Sequence, residues 1–154
     1  MIKAYIDCNI LLDWLLDREP FSSYSAKVVE LTETKKIIGL VSPLTLANTY
    51  YVISKELNKK IADEFIADSL RVFSVPGISI KNLKEAVLNK FKDFEDGLHS
   101  SIAEENKVDF LITRNKKDFK NDKFKVLDAE EFLRIIEKKD QITKKDSVAR
   151  STLI

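Results

Sequence analysis

Short apolar segments alternate along this 154-residue chain with longer stretches of helical periodicity, and this alternation constrains the fold more than any other feature. Ile37–Val41 is short and continuously apolar, which is typical of a strand buried on both faces of a parallel sheet. Two further strands are predicted at Ile2–Ile6 and Val108–Thr113. Shorter strands are predicted at Phe73–Ile80 and Lys125–Leu127. The predicted order β-α-α-β-α-α-β-α-α-β-α-β-α indicates an α/β fold, with helices on both faces of a central parallel sheet.

The helical segments are marked by the spacing of their apolar residues and by capping residues at their starts. Asn9 is a candidate N-cap for a helix that must end near Pro20, because the residue before proline avoids the helical region. The predicted helices run from Asn9 to about Arg18, from Ser22 to about Glu33, from Pro43 toward Leu57, and over Lys60–Val72, Asn82–Asn89, Asp93–Asn106 and Ala129–Lys139.

The length of the chain predicts one domain. We assign residues 1–139 to that domain, because its helices and strands follow one another without a linker or an internal repeat. Residues 140–154 have no clear apolar stripe, so we predict that they form a flexible C-terminal tail.

Composition excludes several kinds of site. One His and one Cys cannot supply the four ligands of a structural zinc site, and the three isolated glycines do not form a phosphate-binding loop. We predict His99 to be a surface or capped residue and Cys8 to be a small buried one, so the chemistry falls mainly to carboxylates. The net charge is +1 and no apolar run approaches a membrane span, so we expect a cytoplasmic protein that does not bind membranes.

Polar residues follow the predicted strands at the carboxyl ends, where ligands bind in open parallel sheets. Thr113 and Asn115 lie at the end of the fourth predicted strand, and Asp118 lies three residues beyond Asn115. Asp7 comes directly after the first strand. An acid at the end of a buried strand is costly unless it is solvated or liganded, so Asp7 is the strongest single candidate.

A second group of acids opens the helix that leads into the fourth predicted strand. Asp93 and Asp96 are three residues apart and share a helix face, whereas Glu95 is turned roughly 100° from Asp96 by the helical pitch. Acids in the first turn of a helix also complement its dipole, so these three residues have a purely structural explanation as well. In the same way, Asp118 has an alternative explanation as a turn cap.

If Asp7, Asp96 and the pair Asn115 and Asp118 converge, they form a pocket whose ligands are all oxygens. Oxygen ligands suit hard divalent cations such as Mg²⁺ or Mn²⁺, which bind through one or two carboxylates and keep several waters. Such an ion generates hydroxide and polarises a phosphodiester.

Four blocks of sequence resemble the PIN-domain family of metal-dependent ribonucleases, which includes the toxin nucleases of type II toxin–antitoxin modules. The resemblance covers about residues 2–137 and implies a three-layer α/β/α domain. No block is specific alone, but four in this order are fairly specific. The blocks are Ile6–Asp13, Val41–Tyr51, Asp93–Leu98 and Leu111–Phe119.

The resemblance implies that Asp7 and Asp96 are the central metal-binding acids. Asn115 and Asp118 would complete the catalytic pocket, with Asp118 as a third metal-binding acid and Thr113 at the edge. The family would use Mg²⁺ or Mn²⁺ to drive water onto an RNA phosphodiester. It also implies an antitoxin protein as a partner and a homodimer formed through helices.

The chain departs from the family pattern at one position. Asn48 stands on the helix after the second strand, where the family usually has Glu, so the pocket has one negative charge fewer. The amide can accept hydrogen bonds or touch a metal, but Glu56 is more than two turns away and cannot replace the missing acid. Asn48 is therefore predicted as a supporting residue, together with Asn9 and Asp93.

The segment from residue 114 to residue 125 holds six basic and two acidic residues, although the whole chain is nearly neutral. Basic side chains here can neutralise phosphates without reading sequence, so we predict RNA-backbone contacts by Arg114, Lys116 and Lys117. A solvated loop is the alternative. The basic residues are Arg114, Lys116, Lys117, Lys120, Lys123 and Lys125, against Asp118 and Asp122.

The function predicted is a metal-dependent endoribonuclease, the toxin of a toxin–antitoxin pair. The alternative is a catalytically weak or inactive PIN-fold module that binds RNA or a protein, which Asn48 favours and the acids Asp7, Asp96 and Asp118 oppose. A domain phosphorylated on aspartate is disfavoured, because the haloacid-dehalogenase type needs a second acid where this chain has Asn9.

Overall fold

The computed structural model describes residues 1–89, 91–119 and 122–151. A single 3₁₀ turn, Lys116–Asp118, stands where the sequence predicts a helix between the last two strands. The strands are β1 (Lys3–Ile6), β2 (Ile38–Leu40), β3 (Phe110–Ile112) and β4 (Lys125–Leu127). The helices are α1 (Cys8–Leu15), α2 (Ser22–Glu33), α3 (Pro43–Glu56), α4 (Lys59–Val72), α5 (Ile80–Leu88), α6 (Phe94–Glu105) and α7 (Ala129–Ser151).

The four strands form one parallel sheet in the order β2-β1-β3-β4. Ala4 in the central strand β1 lies opposite Gly39 on one side and Phe110 on the other. Ala4 and Phe110 pack into one apolar cluster, whereas their neighbours Tyr5 and Leu111 pack into a second cluster. Alternate residues of a strand point to opposite faces, so the two clusters are the two sides of a three-layer α/β/α fold. The predicted fold class is confirmed.

The predicted strand at Phe73–Ile80 is wrong. Only Ser74 pairs with the sheet, through one bridge to Leu40 at the outer edge of β2. Pro76 has no N–H to donate to a ladder, and Ser79 already caps α5 through a reciprocal pair of hydrogen bonds with Asn82. The pairing therefore stops after one residue.

The last helix continues well beyond its predicted end at Lys139. α7 runs from Ala129 to Ser151, and Ile136 is its last buried residue, while residues 137–148 are exposed. No Gly or Pro interrupts this stretch, so nothing in the local sequence ends the helix where its packing ends. The division of the chain at residue 140 stays a prediction. In the described part of the chain, no helix is both long and apolar enough to cross a membrane.

Helices α5 and α6 approach each other closely at Gly97. A Cβ atom added at Gly97 would lie 2.9 Å from the backbone oxygen of Ala86, closer than ordinary Cβ contacts allow. The absence of a side chain therefore sets the distance between the two helices at the residue that follows Asp96.

Candidate functional site

Asp7 lies at the carboxyl end of β1 and caps the N-terminus of α1. Its side chain is 8% exposed, and three donors reach it. The backbone N–H of Cys8 donates to Oδ1 at 2.7 Å, while Thr113 Oγ1 and Asn9 Nδ2 donate to Oδ2 at 2.7 and 2.9 Å. A buried carboxylate with three donors is held in one orientation and keeps its charge stabilised.

Asn9 and Thr113 join the end of β1 to the end of β3. Asn9 Nδ2 lies 3.2 Å from Thr113 Oγ1, and the backbone N–H of Arg114 donates to Asn9 Oδ1 at 3.2 Å. The N–H of Asn115 donates to Thr113 Oγ1 at 3.0 Å. The structure thus brings together four predicted site residues, Asp7, Asn9, Thr113 and Asn115.

The acids at the start of α6 have different roles, because Asp93 caps the helix and Asp96 does not. Asp93 is the N-cap, and its Oδ1 accepts from the N–H groups of Glu95 and Asp96 at 2.8 and 3.3 Å. The structural role that the helix dipole suggests therefore applies to Asp93. Asp96, one turn further along, is half-buried.

The environment of Asp96 links the separate acids into one cluster. Burial first, and then the negative charges of Asp93, Asp118 and Asp7, raise the pKa of Asp96 from its ordinary value to about 6. The effect of a charge falls off with distance, so the acid that follows β1, the acid that caps α6 and the acid after β3 lie near the Asp96 carboxyl group. We call Asp7, Asp93, Asp96 and Asp118 the acid cluster.

The acid cluster fits a hard divalent cation by its chemistry, because its donors are carboxylate oxygens that repel one another without a cation. Within residues 1–89, 91–119 and 122–151, no three His, Cys, Asp or Glu side chains form a group that could hold a metal ion. Mg²⁺ is commonly bound through one or two carboxylates with waters filling the other positions, so a ready-made triad is not required.

A network of polar side chains connects α3 and α6 to the sheet. Asn48 Nδ2 donates to Glu95 Oε1 at 2.7 Å, and His99 Nε2 lies 3.5 Å from the same oxygen. His99 Nδ1 lies 2.6 Å from the hydroxyl of Tyr5 in β1. His99 first, and Asn48 to a smaller extent, hold the pKa of Glu95 below its ordinary range, although burial opposes them.

The prediction that His99 is a surface or capped residue is wrong, because its side chain is 2% exposed. Sequence reasoning also missed Glu95 as a partner of Asn48. The available signal was the spacing of Glu95 and His99, which are four residues apart and so share a face of α6.

Two of the three predicted RNA-contacting residues are held in ion pairs within the chain. Arg114 binds the fully buried Asp13, with Nε 2.7 Å from Oδ2 and Nη2 3.0 Å from Oδ1. Lys116 Nζ lies 3.0 Å from Asp128 and 2.8 Å from Glu131. The guanidinium of Arg114 also lies 4.5 Å from the centre of the Phe21 ring.

Lys117, the third predicted contact, is exposed. Lys120 of the basic segment lies outside the described residues. The RNA contacts of Arg114, Lys116 and Lys117 stay a prediction.

A family model described as the PIN domain matches residues 3–117, which is most of the chain. The chain belongs to the PIN-domain family. The matched region of this PIN domain contains Asp7, Asn48, Asp96 and Asn115, and it ends one residue before Asp118. A search of curated proteins finds no match.

Solved structures of low sequence identity share the fold of this PIN domain. It is similar to VapBC2 from Rickettsia felis bound to a promoter DNA fragment, with 20% identity over 81% of this chain and 97% of that one, and a TM-score of 0.61. The DNA-bound VapBC from Salmonella typhimurium is 14% identical, over 84% and 99% of the two chains, with a TM-score of 0.62. VapC20 from Mycobacterium tuberculosis, described as a sarcin-ricin loop cleaving toxin, is 12% identical over 78% and 92%, with a TM-score of 0.57.

Proposed function

We propose that this PIN domain is a metal-dependent endoribonuclease and the toxin of a toxin–antitoxin pair. The observation that carries the proposal is the acid cluster, which joins the carboxyl ends of β1 and β3 to the start of α6 and in which burial, followed by three other acids, raises the pKa of Asp96. Membership of the PIN family supports a nuclease. Mutually repelling carboxylates at a sheet edge are suited to binding a cation rather than to packing.

Asp7 and Asp96 would hold Mg²⁺ or Mn²⁺, with Asp118 and Asn115 completing the pocket. When bound, the ion supplies an activated water and neutralises charge on the phosphodiester. Thr113 and Asn9 fix the orientation of the Asp7 carboxylate before any ligand arrives.

RNA as substrate and an antitoxin as partner are supported by the similar structures, which include VapBC complexes and a toxin described as cleaving the sarcin-ricin loop. A protein partner, either an antitoxin or a second copy in a homodimer, also agrees with four exposed apolar residues on α5. These residues are Ile80, Leu83, Val87 and Leu88. Exposed Lys117 is the best placed of the predicted contacts to meet an RNA phosphate, because Arg114 and Lys116 already pair with acids.

The test is cleavage of RNA in the presence of Mn²⁺ by the parent protein and by Asp7→Asn and Asp96→Asn. We expect the parent to cleave and both variants to lose at least about 100-fold in rate, as is usual when a charged catalytic contact is removed. Glu104→Gln is the matched control, because it removes an exposed acid from the far end of α6. Unchanged cleavage by both aspartate variants would exclude this site.

The second candidate is a PIN-fold module that binds RNA or a protein without cleaving. It is favoured by Asn48, which brings no charge, and by the lack of a ligating group of three side chains among the described residues. A parent protein that binds RNA tightly and leaves it intact with Mn²⁺ present would support this function over the first.

A further inference from the structure

Asn48 and Glu95 are matched to each other in chemistry as well as in position. Asn48 lies in the second turn of α3, Glu95 lies in the first turn of α6, and the amide donates to the carboxylate across 2.7 Å. A glutamate at position 48 would bring a second negative charge to this contact and repel Glu95. The amide therefore allows the α6 carboxylate to occupy the place that an α3 carboxylate would otherwise take.

His99 holds the same carboxylate from a second direction. Its ring is almost completely buried, and its Nε2 lies 3.5 Å from Glu95 Oε1 without a hydrogen-bond partner among the described residues. The other ring nitrogen is fixed by Tyr5 at 2.6 Å. A nearby carboxylate reduces the cost of burying such a nitrogen, so His99 favours this position of the Glu95 side chain.

Glu95 lies next to the acid cluster and remains accessible. It precedes Asp96 in sequence, and its backbone N–H donates to Oδ1 of Asp93, a member of the cluster, at 2.8 Å. The His99 ring that faces its carboxylate also contacts the hydroxyl of Tyr5, which lies in β1 two residues before Asp7. Its side chain is 46% exposed, which leaves it open to a ligand.

We propose that Glu95 supplies the carboxylate that position 48 lacks, and that Asn48 and His99 are positioning residues that hold it toward the acid cluster. This inference rests on the proposed function, since it concerns how the same pocket attracts its cation. Glu95 contributes charge to the metal pocket from α6, so the departure at position 48 moves an acid from one helix to another and does not remove it.

The test measures binding of Mn²⁺ alone, by the loss of the free-ion signal in electron paramagnetic resonance. We expect Glu95→Gln to weaken binding by about 10-fold, the lower end of the range for groups that support a metal. The double variant Asn48→Glu/Glu95→Gln returns the carboxylate to α3 and should recover most of this loss. Glu104→Gln removes an equal charge from the same helix and should bind as the parent does.

Asn48 is tested by its coupling to Glu95. Asn48→Ala should weaken Mn²⁺ binding in the parent and have no further effect in the Glu95→Gln background, because a positioning residue acts only through the group it positions. Thermal melting without metal identifies any variant that has lost its fold. The double variant Asn48→Glu/Glu95→Gln gives a second test, so the inference can still be refuted if Glu95→Gln alone is unstable.

Two results would overturn the inference in distinguishable ways. If Asp7→Asn and Asp96→Asn lose Mn²⁺ while Glu95→Gln binds it as tightly as the parent, Glu95 is only a structural contact and the proposed function stands. If the parent itself binds no Mn²⁺ and cleaves no RNA, the proposed function and this inference both fail.

Discussion

The two ends of the candidate site handle negative charge in opposite ways. At the β1–β3 end, Asp7 is the more deeply buried acid, and three donors surround it. At the α6 end, Asp96 is only half-buried, yet burial and three like charges raise its pKa to about 6. One end stabilises its own carboxylate, whereas the other leaves its carboxylate in need of a proton or a cation. We therefore expect substitutions at the first end to cost stability and substitutions at the second to cost mainly binding.

The largest loss of stability is expected from breaking the ion pair between Arg114 and Asp13, next to the β1–β3 end. Arg114→Ala leaves the fully buried Asp13 without its ion-pair partner, and burial already raises the pKa of Asp13. We expect a cost of about 3 kcal/mol, the lower end for a broken buried pair because Arg114 is partly exposed, measured by urea unfolding. Arg134→Ala, which breaks an exposed pair with Glu130, should cost less than about 1 kcal/mol. Equal costs for the two variants would contradict the prediction.

The next effect tests the donors to Asp7 directly. Thr113→Val keeps the shape of the side chain and removes the hydroxyl that donates to Asp7 at 2.7 Å and accepts from Asn115. A hydrogen bond to a charged group gives an expected cost of about 2 kcal/mol in the free energy of unfolding. Thr143→Val, at an exposed site on α7, is the control. An unchanged unfolding midpoint in Thr113→Val would mean that Asp7 needs no such support.

A smaller loss is expected where α5 sets the position of α6. Gly97→Ala gains helix propensity but forces a Cβ against the backbone of Ala86. Overpacking of about 1–3 kcal/mol against a gain of about 1 kcal/mol leaves a net cost of about 1 kcal/mol. Gly77→Ala, where nothing lies within 4 Å of the added atom, should be close to neutral in the same thermal melt. A more stable Gly97→Ala would show that the two helices can separate freely.

The smallest expected effect has the opposite sign. In metal-free protein, Asp96→Asn should raise stability by about 1 kcal/mol at pH 7.5, after discounting for solvent screening around a half-buried group. The folded pKa is raised, so the charged form opposes folding, and this penalty appears as the pH rises from about 4 through 6.

The gain in Asp96→Asn should therefore vanish at pH 4, where the carboxyl is protonated in the folded parent. Adding Mn²⁺ should raise the melting temperature of the parent more than that of the variant. Thermal melting of the parent and the variant at pH 7.5 and pH 4 measures this gain. A gain that persists at pH 4 would contradict a raised pKa of Asp96 in the folded protein.

The parts of the fold that local chemistry determines could be predicted from the sequence. Apolar runs predicted the four strands and their parallel arrangement, because burial on both faces demands such runs. The strand predicted at Phe73–Ile80 was wrong, because this segment pairs with the sheet only through the bridge between Ser74 and Leu40. The predicted end of the last helix at Lys139 was wrong, because the buried face of the helix ends at Ile136 whereas the helix-forming sequence continues.

In the candidate site too, some contacts could be predicted from the sequence and others could not. Asp7 and Thr113 were predictable because each follows a strand, and strand ends meet at one edge of the sheet. The contacts of Asn48 with Glu95 and of Arg114 with Asp13 were not predictable, since each joins residues far apart in sequence. Only the packing of helices against the sheet brings those partners together.

The hydrogen bond between Asn48 and Glu95 has an evolutionary consequence. Positions 48 and 95, which are 47 residues apart, form a matched amide–carboxylate pair, so a second acid at position 48 would be unfavourable while Glu95 remains. A lineage that regains Glu at position 48 should lose the acid at position 95, and single changes at either site should be filtered out. The pair would then be inherited as a unit, although it lies on two separate helices.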